Sequence, residues 1–213
     1  MSGIDNNTLL YLRGDSFVDI SLNPKSITNY NNGATIIDSN VFGKVIHSSN
    51  NDGYLIASVD SSFVNGDYTI EYFKKVNQFA TKWGDNDILF KQSNSFKYIT
   101  VTGQGNTLGS NHFMCGWHGN DSFNTKLVDA SNMPSVGTWY HVAIVKNDNL
   151  IRVYINGKDV TTNPVTKDFN YIDNELRFFS SETTGLLPDY YSFRIYNIAR
   201  YTSDFIPKNK PFN

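Results

Sequence analysis

The chain has 213 residues, a formal net charge of −2 and an aromatic content of 15%. It contains 27 Asn, 20 Ser and 16 Thr but only 6 Ala and 3 Glu, a composition that favours turns and strands over helices. Helical bundles and coiled coils are therefore excluded. The sequence also lacks the dense Lys and Arg clusters that bind nucleic acid.

The sequence shows no targeting or membrane-spanning segment. No apolar run approaches the ~18 residues needed to cross a bilayer, so we expect no membrane insertion. Residues 1–7 have neither a charged nor an apolar region of a signal peptide. A single cysteine, Cys115, excludes an internal disulfide framework and a cysteine-based zinc cluster.

Twelve strand-like segments follow one another at the spacing typical of a sandwich or barrel. In chain order they are Leu9–Arg13, Val41–His47, Tyr54–Val59, Tyr68–Val76, Asp87–Lys91, Lys97–Thr102, His112–Trp117, Lys126–Asp129, Trp139–Lys146, Leu150–Asn156, Glu175–Ser180 and Tyr190–Asn197. Asn- and Gly-rich turn clusters separate them, and no repeat or linker divides the chain. The pattern predicts one all-β domain over residues 1–213.

The clearest pairing signal lies in the segment 139–157. Leu150–Asn156 alternates apolar and polar residues, as a half-buried strand does. The segment Trp139–Lys146 is apolar on both faces, which indicates a central strand. Asn156-Gly157 is a strong hairpin turn, so we predict an antiparallel meander of three strands here.

The same segment resembles the signature hairpin of laminin-G-like domains, which belong to the concanavalin A-like lectin/glucanase superfamily. The resemblance extends over residues 9–207 through the motifs Phe42-Gly43-Lys44, Asp52-Gly53-Tyr54-Leu55 and Gly66–Phe73. The closing stretch, 191–207, resembles the variant found in bacteriophage and prophage tail-associated proteins. This resemblance implies a jelly-roll sandwich of two curved antiparallel sheets, whose concave face or rim loops often hold carbohydrate and sometimes calcium.

The superfamily includes glycoside hydrolases, so an enzyme is the first alternative. Retaining hydrolysis needs two carboxyl groups ~5–5.5 Å apart. The three glutamates, Glu71, Glu175 and Glu182, are far apart in sequence, and no strand carries the alternating acids of the glucanases of this fold. No Gly-x-Ser-x-Gly nucleophile elbow occurs either. We therefore expect a protein without catalytic residues.

Two loops carry the residue types that bind sugars, a tryptophan beside amide and carboxylate groups. The candidate ligand-binding residues are Trp83, Asp85, Asn86 and Asp87 in the first loop, Trp117, His118, Asn120 and Asp121 in the second, and Tyr190 as a weaker candidate. The alternative interpretation is a tryptophan packed at a sheet rim beside a polar turn. His141, Cys115 and Trp139 are interpreted as core residues instead.

No cofactor is required by the sequence, and calcium is the one candidate. Asp85 and Asp87 flank Asn86 and offer oxygen ligands of the kind that calcium prefers. Asn50–Gly53 and Asn120-Asp121 offer similar groups. None of these segments has EF-hand spacing, and solvated turns are the favoured explanation.

These observations lead to a functional hypothesis: a non-catalytic carbohydrate-recognition module that binds a bacterial cell-surface glycan as part of a phage tail or surface appendage. Its expected location is the virion or the extracellular surface. The alternative is a structural or protein–protein interaction domain that contacts other virion or tail proteins without binding sugar.

Overall fold

The computed structural model describes residues 4–49, 53–59, 66–77, 85–92, 95–102, 112–118, 123–128, 134–148, 150–164, 175–181 and 188–208. The described residues contain strands and no helix. The strands are β1 (Thr8–Leu12), β2 (Ile27–Tyr30), β3 (Ala34–Ser39), β4 (Gly43–Ser48), β5 (Tyr54–Ser58), β6 (Tyr68–Lys75), β7 (Asp85–Gln92), β8 (Ser95–Thr102), β9 (His112–His118), β10 (Phe123–Val128), β11 (Trp139–Asn147), β12 (Leu150–Ile155), β13 (Lys158–Asp159), β14 (Glu175–Ser181) and β15 (Asp189–Tyr196).

The strands form two antiparallel sheets, which confirms the predicted β-sandwich. Within the described ranges, the first sheet has the order β13-β12-β11-β6-β15-β4-β3, and β1 also pairs with β15. The second sheet has the order β10-β9-β8-β7-β14-β5-β2. Neighbours in space are often distant in sequence, so the fold depends on long-range pairing.

The predicted meander is present. β11 pairs with β12 from Val142↔Ile155 to Asn147↔Leu150, and β12 pairs with β13. Asn156 and Gly157 both have positive φ, 52° and 79°, as a type I′ hairpin turn requires. β11 lies between β12 and β6 and is buried over most of its length, which confirms its central position.

The main core lies between the sheets. Side chains that face inward from the first sheet include Ile70, Val142 and Ile144, all fully buried. Phe178 from the second sheet stacks on Phe193 from the first, with ring centroids 5.1 Å apart. Contacts of this kind join the two layers, since a sheet with one apolar face is stable only when that face is covered.

A second apolar cluster lies on the opposite side of the first sheet. Ala143, Val145 and Tyr154 point away from the main core and are covered by Ala199, Tyr201 and Phe205. The segment after β15 therefore folds back over the sheet, and the Phe205 amide donates to the Gly157 carbonyl at 2.8 Å. We call residues 198–208 the C-terminal strap and this side of the sheet the outer face.

Candidate functional site

The outer face of the first sheet brings polar side chains from five strands into one line. In cross-strand register, Thr35 lies opposite His47, His47 opposite Asp189, Asp189 opposite Lys75 and Lys75 opposite Trp139. Residues directly opposite one another share a face of the sheet. We call these five residues the polar row.

Asp189 is the centre of the polar row. Its carboxylate is 2% exposed and accepts from His47 Nδ1 at 2.7 Å and from Lys75 Nζ at 2.6 Å. Asn77 Nδ2 donates to the same carboxylate at 3.4 Å. Burial alone raises the pKa of Asp189, but the hydrogen bonds from His47 and Lys75 outweigh it and lower the pKa below its ordinary value. These contacts hold the imidazole and the ammonium group in fixed positions.

Trp139 lies at one end of the polar row and is half-buried, not a fully buried core residue as the sequence pattern indicated. Lys75 Nζ is 5.5 Å from the centroid of its ring. The Phe42 ring lies nearly perpendicular to the same ring, with centroids 5.0 Å apart. The position follows from its place as the first residue of β11, where the sheet ends. The result is a partly exposed indole beside fixed hydrogen-bonding groups.

A buried ionic cluster lies further along the same face, around Glu71. Tyr196 OH donates to Oε1 at 3.0 Å, and Tyr201 OH donates to Oε2 at 2.7 Å. His141 Nε2 is 3.4 Å from Oε2, and Arg194 Nη1 is 3.9 Å from Oε1. Both carboxylate oxygens are therefore occupied, and Tyr201 anchors the strap to the sheet.

These contacts determine the protonation state of Glu71. Burial raises its pKa, but the hydrogen bonds from His141 and Tyr201 and the Arg194 charge have the larger combined effect and lower the pKa to about 2. Glu71 is thus an anion at neutral pH, and among the described residues that line the adjacent cavity it is the one acidic residue. Acid–base hydrolysis of a glycoside needs a second carboxyl group and a protonated acid, and this cluster supplies neither.

A cavity of about 270 Å³ lies between the strap and the sheet. Glu71, Phe73, His141 and Arg194 contribute to its floor, and residues of the strap, including Arg200 and Phe205, line the rest. Ile206, which also lines the cavity, is 91% exposed, so the cavity opens to the solvent at this residue. The cavity combines aromatic and charged side chains, as small-molecule sites do.

The sequence-predicted sugar residues fall mainly on the second sheet or outside the described residues. Trp83, Asn120 and Asp121 lie outside the described residues. Asp85, Asn86 and Asp87 belong to β7, where Asp85 and Asn86 pair with Ser181 and Ser180. The expectation of a loop at Asp85–Asn86 is therefore corrected, because pairing with β14 extends the strand by two residues. Trp117 and His118 end β9.

The register separates these two predicted groups. Trp117 pairs with Lys97, and Lys97 pairs with Phe90. Phe90 is five residues after Asp85 on β7, a distance of ~17 Å along a strand at ~3.3 Å per residue. Trp117 and Asp85 therefore lie near opposite ends of the second sheet.

Tyr190 requires a correction, because it was expected at the surface. The residue is 2% exposed and belongs to the main core. Its ring stacks on Phe179, with centroids 3.7 Å apart. A ring buried in the core in this way cannot stack on a sugar. Its neighbour Asp189, which the sequence analysis did not select, is the residue that organises the polar row.

The described residues contain no group of three or more His, Cys, Asp or Glu that could hold a metal ion. The calcium candidates Asn50, Asn51, Asp52 and Asn120-Asp121 lie outside the described residues, and Asp85–Asp87 belong to β7. No helix in the described ranges is long and apolar enough to span a membrane.

Comparison with known proteins identifies the family. The model of a laminin G-type family, described as the concanavalin A-like lectin/glucanases superfamily, matches residues 48–203. The chain belongs to this superfamily. No curated protein sequence matches it significantly.

Several solved structures share the fold at low sequence identity. Domain 4 of AbnA, an extracellular arabinanase from Geobacillus stearothermophilus solved with arabinotriose, has 16% identity and a TM-score of 0.67 over 91% of this chain and 93% of that domain. The binding domain of botulinum neurotoxin DC, solved with SialylT, has 17% identity and a TM-score of 0.68 over 92% of this chain. The binding domain of Paraclostridial Mosquitocidal Protein 1 has 18% identity and a TM-score of 0.67 over 92% of this chain. This superfamily member spans about half of each toxin binding domain, 49% and 50%.

Proposed function

We propose that this protein is a non-catalytic glycan-binding module and that the polar row is its main binding surface. The observation that carries the proposal is the half-buried Trp139 beside Lys75, with both groups on the outer face of the first sheet. Sugars bind proteins by stacking an apolar C–H face on an aromatic ring while hydroxyl groups exchange hydrogen bonds with planar polar groups.

The polar row offers both kinds of contact in fixed positions. Because Asp189 accepts from His47 Nδ1, the Nε2 atom of the ring is directed away from the carboxylate and is placed to contact a hydroxyl. Lys75 and the exposed Asn77 supply further donors. A sugar ring on the face of Trp139 would meet groups that a buried carboxylate has already oriented, so little side-chain entropy would be lost on binding.

Known relatives of the fold support a carbohydrate ligand. Domain 4 of AbnA was solved with arabinotriose, and botulinum neurotoxin type C interacts with two ganglioside molecules. The neurotoxin DC binding domain was solved with SialylT. These ligands belong to those proteins, and we extend only their chemical class, carbohydrate, to this chain.

The setting that we propose is a phage tail or a related surface appendage. There, one module over residues 1–213 would bind a bacterial cell-surface glycan and contact other tail proteins. Single sites on such a module would be weak, and display of many copies would raise the overall avidity. The groups Trp83–Asp87 and Trp117–Asp121 stay in the proposal as two separate contact points.

The test is a glycan array that carries bacterial surface polysaccharides, arabinotriose and sialylated oligosaccharides. We expect Trp139→Ala to lower the affinity for the bound glycan about tenfold, which corresponds to ~1.4 kcal/mol. Lys75→Gln removes a charge and leaves the Trp139 ring in place, so it should lower the affinity by a smaller factor. The matched control is Tyr30→Ala, since Tyr30 is an exposed aromatic residue on the second sheet, 43% exposed, and it should bind as the unmodified protein does.

Circular dichroism and melting temperature verify that each variant is folded. Two results would overturn the proposal: no glycan is bound, or the folded Trp139→Ala and Lys75→Gln variants bind as tightly as the unmodified protein. The first result would favour a structural or protein–protein interaction domain. Trp83→Ala and Trp117→Ala, measured on the same array, test the two separate contact points.

A further inference from the structure

The cavity beneath the C-terminal strap has an excess of positive charge. Among the described residues that line it, three are basic, Arg194, Arg200 and Lys208, and one is acidic, Glu71. Arg200 is also paired with Asp5, which lies outside the lining, so the balance of these five charges is +1. Arg194 is 1% exposed and lies deep in the site. An anionic ligand would therefore enter a region whose formal charge is positive, and low-dielectric walls strengthen such an attraction.

Both oxygens of the Glu71 carboxylate already accept hydrogen bonds within the protein, so Glu71 is not an acceptor for a ligand. Tyr196 and Tyr201 donate to its two oxygens, and His141 lies within 3.4 Å. Arg194 Nη2 donates to the Tyr11 hydroxyl at 2.9 Å. The cluster is thus a preformed wall of the cavity, with its charges already placed.

His141 Nδ1 and Arg200 Nε, in two of the lining residues, are buried and have no hydrogen-bond partner among the described residues. The His141 side chain is 6% exposed. Because Nε2 of His141 faces the Glu71 carboxylate, Nδ1 is the ring nitrogen left to form a hydrogen bond with a ligand. A buried polar atom without a partner costs ~1–3 kcal/mol, which a ligand hydroxyl and a ligand carboxylate would recover.

The remaining walls are aromatic. Tyr201 stacks on Phe205 with ring centroids 3.6 Å apart, and Phe205 meets His141 edge-on at 5.8 Å. Phe73 lines the same space. Aromatic walls suit the C–H faces of a sugar ring, and a volume of about 270 Å³ is too small for a long oligosaccharide to be enclosed.

From this arrangement we propose that the cavity binds one carboxylate-bearing sugar residue, a uronic or sialic acid. The carboxylate faces Arg200 and Lys208, a hydroxyl forms a hydrogen bond with His141 Nδ1, and the ring lies against Phe205. This site rests on the proposed glycan-binding function and names an acidic sugar as part of its ligand. Glu71 in the cavity wall and Lys75 in the polar row are four residues apart on β6, a separation of ~13 Å. The two sites can therefore be tested separately.

The experiment titrates the full chain with D-glucuronate, N-acetylneuraminate, D-glucose and acetate, followed by saturation-transfer NMR and calorimetry. We expect at least one of the two acidic sugars to bind at least tenfold more tightly than glucose and acetate, with an affinity that falls as salt is added. Arg200→Gln should weaken this binding at least fivefold. Lys208→Gln, at an exposed residue whose change should not affect folding, should weaken it by at least twofold. Lys44→Gln, a lysine outside the cavity, is the matched control and should have no effect.

Equal affinity for the acidic sugars and glucose would overturn the inference, as would equal affinity for acetate. Unchanged binding in both Arg200→Gln and Lys208→Gln would also overturn it. Failure of this inference is distinguishable from failure of the proposed function. If Trp139→Ala loses binding on the array and the unmodified protein binds no acidic sugar, the proposed cavity site alone is refuted. If the protein binds an acidic sugar and Trp139→Ala has no effect on the array, the proposed polar-row site alone is refuted.

Discussion

Replacement of Glu71 by Gln tests whether the buried ionic cluster stabilises the fold. The substitution keeps the size of the side chain and removes its charge. Arg194, 1% exposed, then loses the nearest anion, and the Tyr201 hydroxyl loses a charged acceptor at 2.7 Å. We expect the variant to fold but to unfold at a clearly lower urea concentration.

The size of the effect follows from the pKa of Glu71. An unfolded glutamate titrates near 4.5, and in the folded protein the pKa is about 2. Each unit of pKa corresponds to ~1.4 kcal/mol, so the ionised form contributes ~3 kcal/mol to the free energy of unfolding at neutral pH. Removal of one partner from a buried ion pair costs a similar amount, ~3–5 kcal/mol.

The dependence on pH has a definite sign. The folded-state pKa of Glu71 is lower than the unfolded value, so this stabilisation is complete above pH ~4.5 and is lost as the pH falls towards 2. The difference in unfolding free energy between the unmodified protein and Glu71→Gln should therefore be constant from pH 5 to 7. It should shrink at lower pH.

Urea unfolding, followed by tryptophan fluorescence from pH 3 to pH 7, measures this difference. The control is Glu175→Gln, because Glu175 pairs with Arg177 on the second sheet and its side chain is 24% exposed. That change should cost less than ~1 kcal/mol. A Glu71→Gln variant as stable as the control, or a difference that does not depend on pH below 4.5, would refute this account of the cluster.

Two further predictions concern the turn and the polar row. Gly157→Ala should lower the free energy of unfolding in urea more than Gly137→Ala does. Both glycines have φ near +79°. An added Cβ at Gly157 would lie 1.9 Å from the Phe205 carbonyl oxygen, whereas one at Gly137 meets nothing within 4 Å. Equal losses would show that backbone strain alone, ~1–2 kcal/mol, is responsible. Asp189→Asn should lower the free energy of unfolding by ~1.5–3 kcal/mol, since it removes a charged acceptor from Lys75, and it should also weaken glycan binding on the array. An unchanged affinity in the folded variant would contradict the orienting role of Asp189.

The main features of the fold were predictable from the sequence because they depend on local patterns. Alternation in Leu150–Ile155 and the Asn156-Gly157 turn determine the meander without reference to any distant residue. Two strands, Ile27–Tyr30 and Ala34–Ser39, were missed, and the third strand of the meander, Lys158–Asp159, was predicted without bounds. Ile27–Tyr30 alternates half-buried and exposed positions, and Ala34 is the only buried residue of Ala34–Ser39. Their stability depends on pairing with β5 and β4 instead of on a strong pattern of their own.

The candidate site was much less predictable. The polar row joins Thr35, His47, Lys75, Trp139 and Asp189, and only the register of five strands places them side by side. No local motif contains two of them. One feature of the sequence did indicate that Trp139 is partly exposed. Trp139 is the first residue of its strand, and residues at the end of a sheet are incompletely buried. The sequence pattern instead placed Trp139 with its apolar neighbours.

Tyr190 shows how a local irregularity changes the interpretation of a face. The register of β15 shifts between Tyr191 and Arg194, and Ser192 has a positive φ of 54°. A β-bulge of this kind redirects side chains on either side of it. Tyr190 therefore points into the core, and Asp189 and Tyr191 are placed on the outer face. The sequence gives no strong sign of this bulge, because serine is an unremarkable strand residue.

The environment that makes Glu71 a strong anchor also makes it unsuitable as a catalyst. A general acid for glycoside hydrolysis must hold a proton near neutral pH, but the donors around Glu71 lower its pKa to about 2. A nucleophile needs a free oxygen, and the Tyr196 and Tyr201 hydroxyls donate to both of its oxygens. A sugar in the adjacent cavity would thus meet a carboxylate that can neither protonate it nor attack it. This geometry favours retention of a bound glycan over its cleavage.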